Sequence, residues 1–598
     1  MACHFQRPWQ AVKSRSSTNG DPLGPAGMKW VASLLDDCLQ NHKGCLSTEQ
    51  AQLPRRILVL DDSSEDNITV RLEENELKPG RYATLSHCWG DQQRCTTIRE
   101  NLEERKLGIP WNEIPKTFQD SIIYCLKLGI RYLWIDALCI IQNDNRDWEV
   151  ESSKMAAIYQ NSFITLAATA AQSDSGGCFM DAPIFRAEYE LSAPEESGLI
   201  LVREKLHHWE PAQTEVFMRR DPLLTRGWVF QERILSPRMV HFCSQELVWE
   251  CASLIKCECG GVDPRAGTKS HFAPVLGGLE KVERHNHNYS CYQAAKIICP
   301  ELFRRGHSRS DKPDSDDSDS NDPGSRNEDL LPLRLVSPEA QAFLEEWQLN
   351  MNASEKWHRI VEEYSALQLT KSSDRLPALS GLAVRSASFL RSYAAGLWKE
   401  TVASDILWRV DQLQLNSGRP VERGPSWSWV SVNSRVKYWA IEKTRSSQQA
   451  EASRNLRKIT CAVKVKGENQ FGEVQSGTLV TTGYMRTAIL NYMDDWVKDS
   501  GQDVRKEHNP LMYRLSIDQL YLPFYADYIL SGEGKDNVPD NAEIFLLEIF
   551  PNICLVLKNT WQAYIFNRIG IFKTTTEFEQ NYGTNIMSKA PEQSGGAN

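Results

Sequence analysis

The chain has 598 residues, of which 41% are hydrophobic and 24% charged, and its formal net charge is −10. Such a length exceeds one core, for which about 150 residues is usual, and the composition is that of a globular protein. The mild acidity without a clustered basic face argues against nucleic-acid binding, and no apolar run reaches the roughly 18 residues of a membrane span.

The opening stretch MACHFQRPWQAVKSRSSTNG has no apolar segment after its basic residues, so no secretory signal is expected. Sixteen cysteines are spread along the chain, several inside apolar segments (Cys88, Cys125, Cys139, Cys461, Cys554). Free thiols in a reducing compartment, and hence a cytoplasmic location, explain them better than disulfides. Residues 1–26 read as a flexible polar arm. A helix is predicted over Met28–Leu39, where Trp30, Leu34, Leu35 and Cys38 recur at helical spacing. Two strands, Arg56–Leu60 and Asn67–Leu72, flank the turn residues DDSSED, and a third strand, YATLSHCWG at 82–90, ends in a turn at Gly90-Asp91.

Pro115 suits the first turn of a helix in which Phe118, Ile122, Cys125 and Leu126 form one apolar stripe. Gly129 followed by Ile130 supplies a C-terminal cap. The run YLWIDALCII at 132–141 shows too little alternation for a one-sided strand and predicts a central strand covered on both faces. A helix over Asp147–Tyr159 and the strand SFITLAAT at 162–169 continue a β-α-β-α-β pattern. That pattern predicts an α/β fold: an open, mostly parallel sheet with helices on both faces, its core at 80–260. Residues 176–222 interrupt the rhythm as an insertion, and a helix over 225–235 with a strand over Met239–Val248 restores it. The acidic, low-complexity stretch 307–330 predicts a disordered linker. Beyond it, 335–598 reads as a separate α+β region. Its first part, 339–398, is helical (Phe343, Trp347, Trp357, Ile360, Tyr364, Leu367). Its remainder is β-rich, including PSWSWVSV, KITCAVKVK, TLVTTGYM, AEIFLLEIF and NICLVLK.

Three polar residues interrupt these apolar phrases: His87, Asp136 and Glu232. Burying a carboxylate or imidazole is costly unless it is paired or used. His87 and Cys88 adjoin, but consecutive side chains on a strand point to opposite faces, so they cannot form a hydrogen-bonded dyad. Cys88 is therefore expected to pack under a helix. His87 lies near the strand's carboxyl end, where open α/β sheets bind ligands. Asp136 is either a site residue at the end of its strand or one half of a buried pair, and Asn143, Asp144 and Asp147 suit the turn and cap of the next helix. On the 225–235 helix, Trp228, Glu232 and Leu235 share one face and Phe230 and Ile234 the other, which places Glu232 between layers. Arg226 or Arg233 is available to neutralise it, so a structural ion pair stands beside a catalytic role.

His241, Cys243, Cys251, Cys257 and Cys259 cluster in sequence, but their spacings are not those of paired zinc ligands, so unliganded thiols are expected and no metal site is assigned. Phosphate loops of the GxGxxG and GxxxxGK[ST] kinds are absent, as is a G-x-S-x-G elbow. No bound cofactor is expected.

The phrases LSHCWG, RYLWIDALCIIQND and LLTRGWVFQERILSPRMVHF, in this order, resemble the heterokaryon incompatibility (HET) domain of filamentous fungi over roughly residues 45–260, within a domain segment 27–265. The resemblance implies self/non-self recognition that triggers regulated cell death. HET domains are in turn distantly similar to Toll/interleukin-1 receptor (TIR) domains, which are flavodoxin-like. SFITLAAT resembles the TIR strand, and RGWVFQERIL resembles the TIR phrase S-x-W-C-x-x-E-L, with Trp228 and Glu232 in register. Some TIR domains cleave NAD with that glutamate. The resemblance thus implies Glu232 as catalytic residue and His87, Trp89, Asp136 and Trp228 as substrate-binding residues, with NAD as substrate. The insertion of about 45 residues between strand and helix departs from the TIR pattern. The other expectation is a non-enzymatic signalling adaptor that self-associates through the domain or binds a recognition partner.

Overall fold

The computed structural model describes Lys269 and, apart from short stretches, residues 21–262 and 353–573. The longer stretches outside the described residues within these spans are 180–186, 207–220, 440–458 and 493–512. The acidic segment 307–330, Phe343 and Trp347 also lie outside them. The chain divides into two compact units. One comprises Met1–Glu280 with Leu367–Thr370 and Pro377–Arg385; the other comprises Lys281–Ala366, Lys371–Leu376 and Ser386–Asn598.

In the first unit, helix α1 (Pro25–Asn41) starts at a proline whose missing N–H costs nothing there, and it buries Val31, Leu34 and Cys38. Strands β1 (Arg56–Asp61) and β2 (Thr69–Glu74) form an antiparallel hairpin, and β3 (Ala83–Ser86) is wholly buried. Helix α2 (Lys116–Lys127) turns its buried stripe of Phe118, Ile122 and Cys125 inward, and Gly129 closes it at φ 71°, a left-handed backbone that glycine adopts without strain. Strand β4 (Tyr132–Trp134) then leads to the single turn α3 (Asp136–Cys139). Helix α4 (Asn145–Asn161) is capped by Asp144, whose side chain accepts from the Arg146 and Asp147 amides. Strand β5 (Ile164–Ala167) comes next, then the two-stranded pair β6 (Ala187–Ala193) and β7 (Glu196–Val202) within the stretch read as an insertion. Helix α5 (Gly227–Leu235) and strands β8 (Arg238–Phe242), β9 (Leu247–Cys251) and β10 (Ile255–Cys257) complete the unit.

Eight of these strands form one sheet in the order β10-β9-β8-β5-β3-β4-β1-β2. The expectation of a mostly parallel sheet needs correction, because the sheet is mixed. Pairings β8–β5, β5–β3 and β3–β4 are parallel, while β1 and β2 at one end and β9 and β10 at the other pair antiparallel. Short hairpins add β2, β9 and β10, and a hairpin can only add an antiparallel neighbour, whereas β1 meets β4 antiparallel from about 75 residues away. Helices lie on both faces. The Thr84 and Thr165 hydroxyls (2.7 Å apart) and Ser236 (2.6 Å from Thr165) mark the face under α5. On the opposite side, His87 meets the ring of Phe118 on α2 edge-on at 4.9 Å.

Two further expectations are corrected. The run YLWIDALCII leaves the sheet at Trp134, since the Cys139 and Ile140 amides bond to the Ile135 and Asp136 carbonyls (2.8 and 3.1 Å) and coil the chain into α3. The single strand expected over Met239–Val248 is instead the hairpin β8–β9, in register Val240↔Trp249, with the residues between Phe242 and Leu247 as its turn.

In the second unit, a seven-stranded antiparallel sheet takes the strands in the order 520–523, 513–517, 485–492, 543–550, 553–559, 566–573, 525–526. The β-rich reading of this region therefore holds. Within 339–398, the described α-helices are 353–364 in this unit and Ser380–Ser386, nearly all of which belongs to the first unit, while Tyr393–Ala394 and Leu397–Trp398 form a small hairpin. PSWSWVSV is no strand: Trp429–Ser431 is a helical turn capped by Ser428, whose hydroxyl accepts from the Val430 amide and donates to the Ala395 carbonyl. The Trp429 indole donates to the carbonyl of Gly396 (3.0 Å), and a Cβ at Gly396 would come within 2.6 Å of that ring nitrogen.

Candidate functional site

The sheet order places the connection from β3 to β4 on one side of β3 and the return to β5 on the other. Open α/β sheets bind ligands in the crevice beyond the carboxyl ends of strands at such a reversal, here β3 and β5. Ser86 is the last residue of β3, and His87, Cys88 and Trp89 come directly after it.

His87 and Trp89 both turn toward Asp136. The Trp89 indole N–H donates to Asp136 Oδ2 at 2.9 Å, and His87 Nδ1 lies 3.7 Å from Asp136 Oδ1. The His87 and Trp89 rings lie nearly parallel, 6.3 Å apart. Asp136 Oδ1 also accepts the Ala137 amide (2.8 Å), so the carboxylate is fixed at the start of α3 while 18% of its side chain stays open to solvent. Burial pushes His87 down from its ordinary 6.5 to about 4 against the opposing pull of Asp136, which leaves the imidazole neutral at physiological pH.

Glu232 approaches the same strand end from the opposite face. Its Oε2 accepts the Ser86 hydroxyl at 2.5 Å, one residue before His87. The residue is only 6% exposed, and burial raises its carboxyl from 4.5 to about 7. The Ser86 hydrogen bond and the Arg226 charge oppose that rise, while the Asp136 charge adds to it. Arg226 also donates to the His87 carbonyl (2.9 Å). Arg233, the other candidate partner, instead makes a two-pronged bond to Glu250 on β9 (2.7 and 3.0 Å). Of the five residues singled out in the sequence, His87, Trp89, Asp136 and Glu232 therefore converge on the end of β3. Trp228 stands one turn before Glu232 on α5, half-buried against the core.

Ser86, Tyr159 and Arg226 complete the surroundings. Tyr159 donates to the Leu85 carbonyl (3.0 Å) and has its phenol pushed up by burial and by the Glu232 charge. Ser86 escaped sequence reading, though a hydroxyl at the end of the apolar run YATLS was a usable signal; Tyr159 looked like ordinary helix core. Cys88 is buried among Ala167, Leu223, Leu224, Val229 and Met239, and burial raises its thiol, so it is a packed thiol and not a nucleophile.

The residues weighed for zinc in the sequence do not assemble as one set. His241 Nδ1 pairs with the Thr169 hydroxyl (3.0 Å) and its Nε2 faces Glu250 (3.4 Å). Cys257 and Cys259 lie 3.5 Å apart beside Glu246, and Cys251 lies beside His42.

The chemistry open to this crevice is that of two carboxylates in different surroundings. One is buried with a raised pKa, the other is half-open and anchored, and a flat neutral imidazole and an indole stand beside them. A buried carboxyl with a raised pKa beside a charged neighbour is a mark of acid–base and cation-stabilising sites. Residues 82–232 match the family model described as "Heterokaryon incompatibility protein (HET)". No curated protein and no solved structure matches the chain.

Proposed function

From the HET domain that residues 82–232 carry, and the incompatibility-related function that this domain supports, we propose that the domain is a cell-death effector that hydrolyses NAD at the nicotinamide–ribose bond. The observation that supports this most is the convergence of Glu232 and Asp136 on the end of β3, Glu232 through Ser86 and Asp136 through His87 and Trp89. The four parallel strands β4-β3-β5-β8 stand in chain order 2-1-3-4, the order of flavodoxin-like sheets, whose ligand crevice falls between the first and third strands.

In the reaction, the C1′–N bond breaks with its electron pair leaving on nicotinamide, water adds to C1′, and a proton is released with ADP-ribose. The ribosyl centre passes through an oxocarbenium-like state, which a nearby carboxylate stabilises. Ionised Glu232 supplies that charge. Asp136 and His87 take the ribose hydroxyls, and the planes of Trp89 and Trp228 take the rings.

The test is release of nicotinamide by the purified full chain, assayed also under conditions that drive self-association. Glu232→Gln is expected to lower the rate by about 100-fold or more while its thermal stability is kept or raised. Equal rates for the two proteins, or no release by the wild type, would sink the enzymatic reading and favour an adaptor that acts by self-assembly or partner binding.

A further inference from the structure

The first unit carries a second chemical cluster, which shares no residue with the crevice and is unused by the proposed reaction. Cys38 lies in the last turn of α1, and His42 comes just after the helix with its amide bonded to the Cys38 carbonyl (3.3 Å). Cys45 is set by a turn in which its amide bonds to the His42 carbonyl (3.0 Å). Cys251 closes β9, 209 residues after His42. The three sulfurs and one imidazole nitrogen all lie within 4.8 Å of one another.

We propose that Cys38, His42, Cys45 and Cys251 form a structural zinc site that fastens α1 and the turn after it to the end of β9. The donor set is three thiols and one imidazole, the soft and borderline ligands that zinc takes in closed, tetrahedral structural sites. The geometry suits that ion. Zn–S and Zn–N bonds of about 2.3 and 2.0–2.1 Å make the S···N edge of a tetrahedron about 3.5 Å long, and Cys251 Sγ lies 3.4 Å from His42 Nδ1. Ligation through Nδ1 leaves Nε2 as the donor nitrogen, and Nε2 faces Asp37 Oδ2 at 3.5 Å. A carboxylate on the second nitrogen of a ligating histidine fixes its tautomer and ring plane. The remaining surroundings accommodate thiolates. The Ser253 hydroxyl lies 3.7 Å from Cys45 Sγ, and the Lys269 ammonium, which donates to the Ser236 carbonyl (2.7 Å), is pushed down to about 8 by burial while charge on Glu250, Cys251 and Cys45 pulls the other way. Three thiolates on one Zn²⁺ leave a single negative charge for that ammonium to offset.

Four protein ligands leave no position for water or substrate, so the role is cross-linking. The ion would join the start of the unit to a β9 whose Glu250 holds Arg233 of α5, the helix that carries Glu232. The pattern escapes sequence reading because C-x3-H-x2-C is not a common zinc spacing and its fourth ligand lies far along the chain.

The experiment is metal analysis of the full chain purified without chelators, with Cys38→Ser and Cys251→Ser alongside. About one zinc per chain is expected in the wild type, with loss of one equivalent in each variant and a lower melting temperature on chelation. Should either variant fail to fold, the wild type reconstituted with Co²⁺ decides the matter. Intense visible d–d bands with sulfur-to-cobalt charge transfer support a tetrahedral thiolate site. A metal-free wild type, a zinc content unchanged in both variants, cobalt spectra of an octahedral oxygen site, or a Cys38–Cys251 disulfide found by mass spectrometry of the native protein would each overturn it.

Discussion

Because burial lifts the Glu232 carboxyl from 4.5 to about 7, the folded chain keeps a proton there across a pH range in which the unfolded chain has released it. A folded state that binds more protons loses stability as pH rises, so Glu232 costs nothing below pH 4.5 and its full penalty is reached above about pH 7. Since one pKa unit is worth about 1.4 kcal/mol, the penalty is on the order of 3 kcal/mol. Glu232→Gln should therefore melt close to the wild type at pH 5 and roughly 5 °C or more above it at pH 8; a difference that does not change with pH would contradict the buried, raised carboxyl. A residue that destabilises its own fold when ionised is one that sequence patterning flags, as an acidic side chain among Phe230, Ile234 and Leu235. His87 and Asp136 were visible by the same logic. Ser86 left only the weaker signal of a hydroxyl ending an apolar run, and Tyr159 left none, because a tyrosine on a helix is an ordinary residue until a partner from elsewhere meets it.

At the scale of elements, Asp136 is held in place by the turn between α3 and α4. The buried Arg56 on β1 pins that turn: it donates to the Cys139 carbonyl at 2.8 Å and pairs with Asp147, itself the acceptor of the Ile141 amide at 2.9 Å. Removing one member of a buried pair strands the other, at a cost of about 3–5 kcal/mol. Arg56→Met should thus lower the melting temperature markedly, with the 136–147 segment the first to gain hydrogen exchange; an unchanged midpoint would mean that the pair carries little. The helices α1, α2 and α4 were legible because their apolar stripes and caps lie in contiguous sequence, and their ends moved by only a few residues. Strand limits were less so. The apolar run 132–141 continues through α3, since burial on all sides looks alike whether the backbone is extended or coiled. The hairpin β8–β9 was missed although the polar residues Ser244, Gln245 and Glu246 between its arms mark a turn.

Across the whole chain, a unit's boundaries are set by contacts that sequence order conceals. The amide of Gly227, at the start of α5, bonds to the Gln368 carbonyl, and the Gln368 amide bonds back to Thr225, both at 2.7 Å. The Gly381 amide donates to Gln231 at 2.7 Å, and a Cβ at Gly381 would lie 2.2 Å from that of Ala156 on α4. Residues 367–370 and 377–385 thus belong with the unit that carries the crevice, more than a hundred residues beyond the family match. A fragment of residues 27–265 should show faster hydrogen exchange over 225–235 than the full chain, and equal protection in the two would remove these segments from the account. The α/β character of the first unit and the β-rich second unit were readable in outline from strand-like runs; the antiparallel flanks of the sheet and the return of 367–385 to the first unit were not, because no local pattern encodes a pairing over such a distance. The central claim, a crevice in which ionised Glu232 stabilises a ribosyl cation, is tested most directly by nicotinamide release from the full chain as a function of pH. The rate is predicted to rise through about pH 7 and level off as Glu232 loses its proton; a rate that is flat across that range, or absent throughout, would contradict it.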